Sequence, residues 1–322
     1  MQFNAIEKQE STARPCSELL AEFEKRQKEK EIKPEGVKLK FYGIELKDIY
    51  NITPPFFVKE RLVIAARVEN REDEIASEVH FFESTGDINW KKINITPLNL
   101  QDPFVVSIDD QIIVGGIEVF PPLPDSPNDS ITYHTVFYKG ENLDTLQIFA
   151  VGPEKMKDIR IIKLKNGRIG VFTRPQGGEN NGGEIGYVEI DRLEDLNKPE
   201  IILGAKIIRD QFAAREWGGV NQLQELDGGR IGIVGHIACF DEKKMKHYYG
   251  MSFVFDPKAN IASPIKIIAT RENFPEGEAK KSGLEDVIFV GGIAQDASDK
   301  QWYLYAGLSD VESGRIPIEY PF

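Results

Sequence analysis

The stretch QDPFVVSIDDQIIVGGIEV, residues 101–119, decides the fold. Two apolar runs flank the polar pair Asp109–Asp110, the pattern of two antiparallel strands joined by a tight turn. Laid over KDIRIIKLKNGRIGVFTRP, residues 157–175, it needs no gap: Asp102 meets Asp158, Val105 meets Ile161, Ile113 meets Ile169 and Glu118 meets Arg174. IIKLKNGRIGVFTR (161–174) lies in turn over LQELDGGRIGIVGH (223–236), which sets Arg174 on His236. In the other direction TPPFFVKERLVIAARVE (53–69) lies over 102–118, with Thr53 on Asp102 and Glu69 on Glu118. EDVIFVGG (285–292) and WYLYAGLSD (302–310) repeat the pair around a longer turn and bring Asp286 to the Asp102 position.

A third apolar run follows each pair: ASEVHFFES, ITYHTVFYKG, GEIGYVEI, HYYGMSFVFD and GRIPIEYPF. Successive units begin roughly 50–65 residues apart, room for a four-stranded sheet with its loops. Such a sheet cannot bury both faces alone, and stacking repeated sheets around an axis solves the problem. The pattern predicts an all-β fold, a five-bladed β-propeller over residues 37–322 behind a short N-terminal helical arm, residues 1–36. VKLKFYGI (37–44) is placed to complete the last blade and lock the ring. In the arm, SELLAEFEKRQKEKE (17–31) reads as a helix, with Ser17 as cap and Leu19, Leu20 and Phe23 as a narrow apolar stripe. That stripe suits a helix packed by one edge on the body, or an arm that reaches a second copy in a homo-oligomer. Pro34 and Gly36 end it.

The 322 residues are 41% hydrophobic, enough for a substantial core. The net charge of −12 argues against a nucleic-acid partner, which needs a basic footprint. Cys16 and Cys239 lie far apart and read as thiols of a reducing compartment rather than a disulfide. The start, MQFNAIEKQESTARPC, lacks the apolar core of a signal peptide, and no run has the length of a membrane span. A cytoplasmic protein without membrane partners is the expectation.

In a propeller, residues at the entrance of each first strand gather at the channel mouth. That position holds Thr53, Asp102, Asp158, Val220 and Asp286, with Asn51, Asn221 and Glu285 as neighbours. Converging carboxyls push each other's pKa values apart, which separates acid from base roles. Asp and Asn at strand entrances also serve turn geometry, so both readings stand. The second repeated position, near the end of the second strand, holds Glu69, Glu118, Arg174, His236 and Ser309, with Arg67 on the face of Glu69. Buried charge is costly unless paired, so this set is either a polar binding wall or an internal salt-bridge ring. In AAREWGGVNQ (213–222), Arg215 and Trp217 set an aromatic face beside hydrogen-bonding groups, which suits a sugar ring; a core Trp is the other reading. RPQGGENNGGE (174–184) does not match a phosphate-binding loop. No Gly-x-Ser-x-Gly is present, and His80, His134, His236 and His247 lack zinc-ligand spacing, so no metal site is expected.

The segments QDPF, MKDIRI, REWGGVNQ and LEDVIFVGG resemble the bacterial proteins grouped as domain of unknown function 1861. With its five repeats the chain also resembles the five-bladed propeller glycosidases near glycoside hydrolase family 130, which includes mannoside phosphorylases and hydrolases. That resemblance implies a general acid in a blade-two Asp-Pro motif, matched by Asp102–Pro103, although Phe104 stands where those enzymes usually carry Arg. It implies no bound cofactor but allows inorganic phosphate as co-substrate, with Arg174, His236 and Arg67 as candidate contacts. Families 43 and 32 carry an essential carboxylate on blade one, where this chain has Thr53 with Asn51 nearby.

The expected function is a carbohydrate-active enzyme that cleaves a glycosidic bond, by hydrolysis or phosphorolysis, in a mannoside. Asp102 is the expected general acid, and Asp158 or Asp286 orients substrate or activates water. Glu69, Glu118, Arg67, Arg174, Arg215, Trp217, Asn221 and His236 are the expected substrate contacts. The alternative is a sugar-binding or regulatory propeller without catalysis, favoured by the missing blade-one acid and the missing Arg.

Overall fold

Alternating Val, Ile and Phe give the repeats their strands, and short polar turns fold each back on itself. In the computed structural model, Gln101–Ile108 pairs antiparallel with Gln111–Phe120, Val105 opposite Val114 and Val106 opposite Ile113. Asp109 and Asp110 both adopt positive φ, 49° and 60°, the turn conformation that matches the twist of the flanking strands. Residues 13–30, 33–73, 75–121, 131–176 and 183–322 are described. Residues 177–182 of the loop 174–184, and residues 1–12, 31 and 32 of the N-terminal arm, therefore lie outside the described residues.

The fold is all-β, and each pair read from the repeats is an antiparallel hairpin extended by its third run. The first set contains Asp48–Tyr50, Phe56–Val58, Arg61–Glu69, Glu78–Gly86 and Asn89–Lys92. The second is Gln101–Ile108, Gln111–Phe120, Thr132–Gly140 and Gln147–Val151; the third is Arg160–Lys163, Ile169–Thr173, Gly186–Ile190 and Lys206–Ile207. The last two repeats share one nine-stranded sheet. Trp217–Glu225, Ile231–Phe240 and Lys246–Asp256 join the run Asp286–Gln295, Trp302–Leu308 and Glu312–Ile318 through a short parallel pairing of His247 and Tyr248 with Asp286 and Val287. The segment expected to complete the last unit does more. Val37–Lys38 pairs with Glu312–Ile318, and Lys40–Tyr42 then runs parallel to Asn89–Lys92, so one short stretch ties the last strands to the first set.

Apolar side chains fill the space between consecutive sets. Val63 and Phe81 pack with Val114 and Val136, and Phe104 and Phe137 with Ile161 and Val171. Phe172 and Tyr187 pack with Ile237 and Phe255, and Val234 and Ala269 with Val290 and Leu304. The cycle closes where Tyr305 of the last set meets Ile52, Ile64 and Phe82 of the first. The helix Cys16–Lys28 lays Cys16, Leu19 and Phe23 into the core shared by the third and fourth sets. Ser17 does not cap it: the helix begins one residue earlier, after Pro15, and no side chain supplies a cap. Pro15 carries φ −69°, which already suits entry into a helix. Among the described residues no helix is long and apolar enough to cross a membrane.

The seam between last and first sets is a close backbone approach. A Cβ on Gly291 would sit 1.7 Å from the Ile52 carbonyl oxygen, and one on Gly307 would sit 2.1 Å from Asn51 Oδ1. Backbone cannot yield as a flexible side chain can. Gly291→Ala is therefore expected to destabilise the protein by about 3 kcal/mol or more, the upper range of overpacking costs, read from denaturant unfolding. An unchanged midpoint would contradict this account of the seam.

Candidate functional site

The strand entrances carry an unusual backbone. Asn51, Asp102 and Asp158 have φ of 45°, 50° and 58°, in the left-handed region that Asn and Asp tolerate better than other side-chain-bearing residues. At Asp102 the strand register also shifts between Gln101 and Phe104. The residue type thus meets a conformational need and supplies a carboxyl at the same point.

These entrances border a pocket of about 260 Å³. Its wall holds the carboxyls Asp102, Asp158 and Asp310 and the cations Arg67, Lys157, Arg174, Lys246, Lys280 and Lys281, with Tyr50, Asn51, His236, Tyr248 and Phe289 between them. Six cations against three carboxylates leave a formal +3 at the wall of a chain whose net charge is −12. Such a wall attracts an anion.

Glu69 anchors one side. Fully buried, its Oε1 accepts from Tyr50 Oη at 2.6 Å and from Lys280 Nζ, and its Oε2 accepts from Arg67 Nε at 2.9 Å and from Ser77 Oγ. Burial would raise the Glu69 carboxyl, but Arg67 and then Lys280 outweigh it and hold the group below its ordinary range. Arg67 reaches on with Nη1 to Asp102 Oδ1 at 3.2 Å, and Asn51 Nδ2 donates to the same oxygen at 2.7 Å. Across the pocket, Arg174 Nη1 donates to Asp158 Oδ2, and Arg160 Nη2 lies 3.7 Å from Oδ1. Burial alone would raise Asp158; Arg174, then Arg160, hold it well below the usual carboxylate range.

His236 is buried, with Nδ1 2.8 Å from Asn221 Oδ1, so Nδ1 donates there. Its Nε2 has no hydrogen-bond partner among the described residues. Burial, with Arg174 behind it, pushes the imidazole down to about 3, so the ring is neutral near pH 7. Tyr248 stacks on it at 5.5 Å and accepts from Trp217 Nε1 at 3.1 Å. Asp310 is half-buried, and burial first, then the charge of Asp102, pushes it up to about 6.

Of the residues named from sequence, Asp102, Asp158, Arg67, Arg174 and His236 line this pocket, and Glu69, Asn221 and Trp217 stand behind its wall. Three others lie elsewhere. Asp286 Oδ2 is held by His247 Nδ1 at 2.7 Å, because the parallel pairing turns it toward that strand. Glu118 lies 3.0 Å from His134 Nε2 on its own sheet, and Arg215 is exposed. Sequence reasoning missed Asp310, although it follows Ser309, the fifth member of the second repeated position. It also missed Lys157, next to Asp158, and Lys246 and Tyr248 on a third strand. Lys280 carried no signal, since it arrives from an irregular segment between repeats.

The family model described as "Protein of unknown function (DUF1861)" matches residues 24–322. Among solved structures, MPT-4, a mannose phosphorylase from Leishmania mexicana in complex with phosphate ion, is 36% identical over 95% of this chain and 93% of that one, with a TM-score of 0.84. MPT-1, a GDP-Man-dependent mannosyltransferase from Leishmania mexicana, is 34% identical over 94% of this chain and 95% of that one, with a TM-score of 0.82. A structure from the GH130 family of mannoside phosphorylases, at 14% identity and a TM-score of 0.58 over 85% of each chain, shares the fold. No curated protein matches.

Removing the Glu69 charge leaves Arg67 and Lys280 without their buried counter-ion. Glu69→Gln is expected to cost about 3–5 kcal/mol, the usual result of breaking a buried ion pair, in equilibrium denaturation. A loss below ~1 kcal/mol would mean that this carboxylate does not hold the wall.

Proposed function

The chain belongs to the DUF1861 family, and from that premise we propose that it is a mannoside-active phosphorylase, transferring a mannosyl group to or from inorganic phosphate in the pocket. The observation that carries the reading is the wall itself: six cations surround carboxyls able to do acid chemistry, in a chain that is acidic as a whole. We read the strand sets as the blades of a five-bladed β-propeller over residues 37–322, with residues 1–36 as a separate arm. The closed cycle of apolar contacts from first set to last supports that architecture.

Asp102 and Asp310 are the two carboxyls of the reaction. Asp102 receives Asn51 and Arg67, donors that suit a carboxylate, and it balances positive charge developing on the sugar ring. Asp310, raised toward neutrality, is the better proton donor, so the acid role expected of Asp102 passes to it. The Asp310 proton moves to the glycosidic oxygen while a phosphate oxygen bonds to the anomeric carbon and the glycosidic bond breaks. Arg174, oriented by Asp158, with Lys157 and Lys246 holds the phosphate, and the unpartnered His236 Nε2 accepts a hydroxyl from phosphate or sugar. The similarity to a GDP-Man-dependent mannosyltransferase supports a second reading, in which the leaving group is a nucleoside diphosphate.

The test is direct: purified protein with mannose 1-phosphate and a mannose acceptor, then GDP-mannose in its place, reading released phosphate or GDP and elongated product. Turnover with the first donor is expected; turnover with GDP-mannose alone favours the transferase, and sugar binding without turnover favours a non-catalytic propeller. Asp102→Asn and Asp310→Asn should each lower kcat by about 10²-fold or more, the usual worth of acid–base groups. Wild-type kcat/KM for cleavage should fall as pH rises above about 6, where Asp310 loses its proton.

The same shift has a stability consequence of opposite sign to an ordinary carboxylate. A carboxyl whose folded pKa is raised favours the native state at low pH, and that benefit disappears as pH climbs through about 6. Asp310→Asn is therefore expected to raise Tm at pH 7.5 by roughly 2 °C or more, with little change at pH 4. An inactive Asp310→Asn protein that is also less stable at pH 7.5 would contradict this electrostatic account.

A further inference from the structure

A second cluster of titratable groups lies outside the pocket. On adjacent strands Cys239 stands directly opposite His247, and His247 directly opposite Asp286. Residues opposed in this way share a face and touch, so a thiol, an imidazole and a carboxylate form one row across the sheet. His247 Nδ1 lies 2.7 Å from Asp286 Oδ2, which also accepts from Tyr249 Oη at 3.0 Å. On its other side His247 Nε2 lies 3.7 Å from Asp241 Oδ2.

The N-terminal helix covers the thiol end of this row. Cys16 is 2% exposed, its backbone N–H donates to Glu216 Oε1 at 2.7 Å, and Cys239 packs against the apolar cluster that holds Cys16. Helix and strand thus bring together two cysteines 223 residues apart (239 − 16). Their environments differ. Cys239 is half-buried, and its contact with Cys16, then His247, draws its thiol below the ordinary range. Burial opposes protonation of His247, but the Asp286 carboxylate outweighs it and raises the ring. Cys16 is raised, by Cys239 and then by burial. One cysteine is therefore suited to attack and the other to resolve.

We propose that Cys239 and Cys16 are a reversible redox pair, in which a hydroperoxide oxidises Cys239 and Cys16 closes a disulfide that fastens the N-terminal helix to the sheet. The Cys239 thiolate attacks the terminal peroxide oxygen, and the O–O bond breaks. The departing oxygen takes a proton from His247, giving an alcohol, or water from hydrogen peroxide, and a sulfenic acid on Cys239. The Cys16 sulfur then attacks that sulfur; the S–S bond forms, the S–O bond breaks, and the hydroxyl leaves with the Cys16 proton as water. Two thiols and one hydroperoxide become one disulfide, one alcohol and one water, and a dithiol reductant reverses the change. None of this depends on the chemistry of the pocket.

The test treats the full-length protein with hydrogen peroxide and maps peptides without reduction. A peptide joining Cys16 to Cys239, lighter by two hydrogens than its parts and lost on reduction with dithiothreitol, is expected. Cys16→Ser should instead accumulate a sulfenic acid at Cys239 that dimedone traps, and the linked form should unfold at a higher temperature than the reduced one. Asp286→Asn, and independently His247→Gln, should slow the reaction by roughly tenfold, because each weakens the imidazolium that supports the thiolate and protonates the departing oxygen. The inference is overturned if folded protein consumes peroxide without forming the link, if the disulfide joins two chains, or if both folded variants react at the wild-type rate.

Discussion

Glu69 is a carboxylate held wholly out of water, and much of the site follows from how it is kept there. A lone buried charge would cost many kcal/mol, so the fold must deliver several donors to it. Tyr50, Arg67 and Ser77 come from the first strand set, and Lys280 arrives from the segment leading into the last. Arg67 then hands its remaining donor to Asp102 at the head of the second set. One anion thereby fixes two pocket cations and, through Arg67, orients a carboxyl that lines the cavity.

The same economy governs the charge of the pocket. Net acidity over the surface coexists with a positive wall, because Arg and Lys are concentrated where the strand entrances meet. Asp158 pairs with Arg174 and lies near Arg160, while Lys157, Lys246 and Lys281 add further positive charge to the wall. Asp310 has the opposite environment: half-buried and near the charge of Asp102, it resists ionisation. Asp158 and Asp310, two carboxyls of one pocket, are thus driven toward different protonation states.

The strand Ile231–Phe240 runs between the pocket and the face that meets the N-terminal helix. Residues alternate faces along a strand, so His236 and Cys239, three apart, point to opposite sides. His236 lines the pocket, whereas Cys239 meets the helix. Trp217 lies between the regions, next to Glu216, which holds the helix start, and hydrogen-bonded to Tyr248, which stacks on His236.

The strand architecture was legible in the sequence, because burial of a repeated hairpin forces the same apolar positions to recur. Ungapped alignment of 53–69, 101–119, 157–175 and 223–236 located four of the hairpins and brought Asp102, Asp158, Arg67, Arg174 and His236 to attention. Asp102 and Asp158 also stand where the backbone is left-handed, a conformation that Asp tolerates better than most residues. What the repeat could not carry was direction between units. Asp286 shares the register of Asp102, yet its parallel pairing with His247 takes it out of the pocket. Glu118 shares the register of Arg174, yet it turns to His134 on its own sheet. Lys280, Asp310 and the meeting of Cys16 with Cys239 depend on contacts between segments far apart in the chain, and no local pattern encodes them. The sequence by itself determined which residues become strands and which polar groups interrupt them; only packing of one set against the next decided which of those groups face each other.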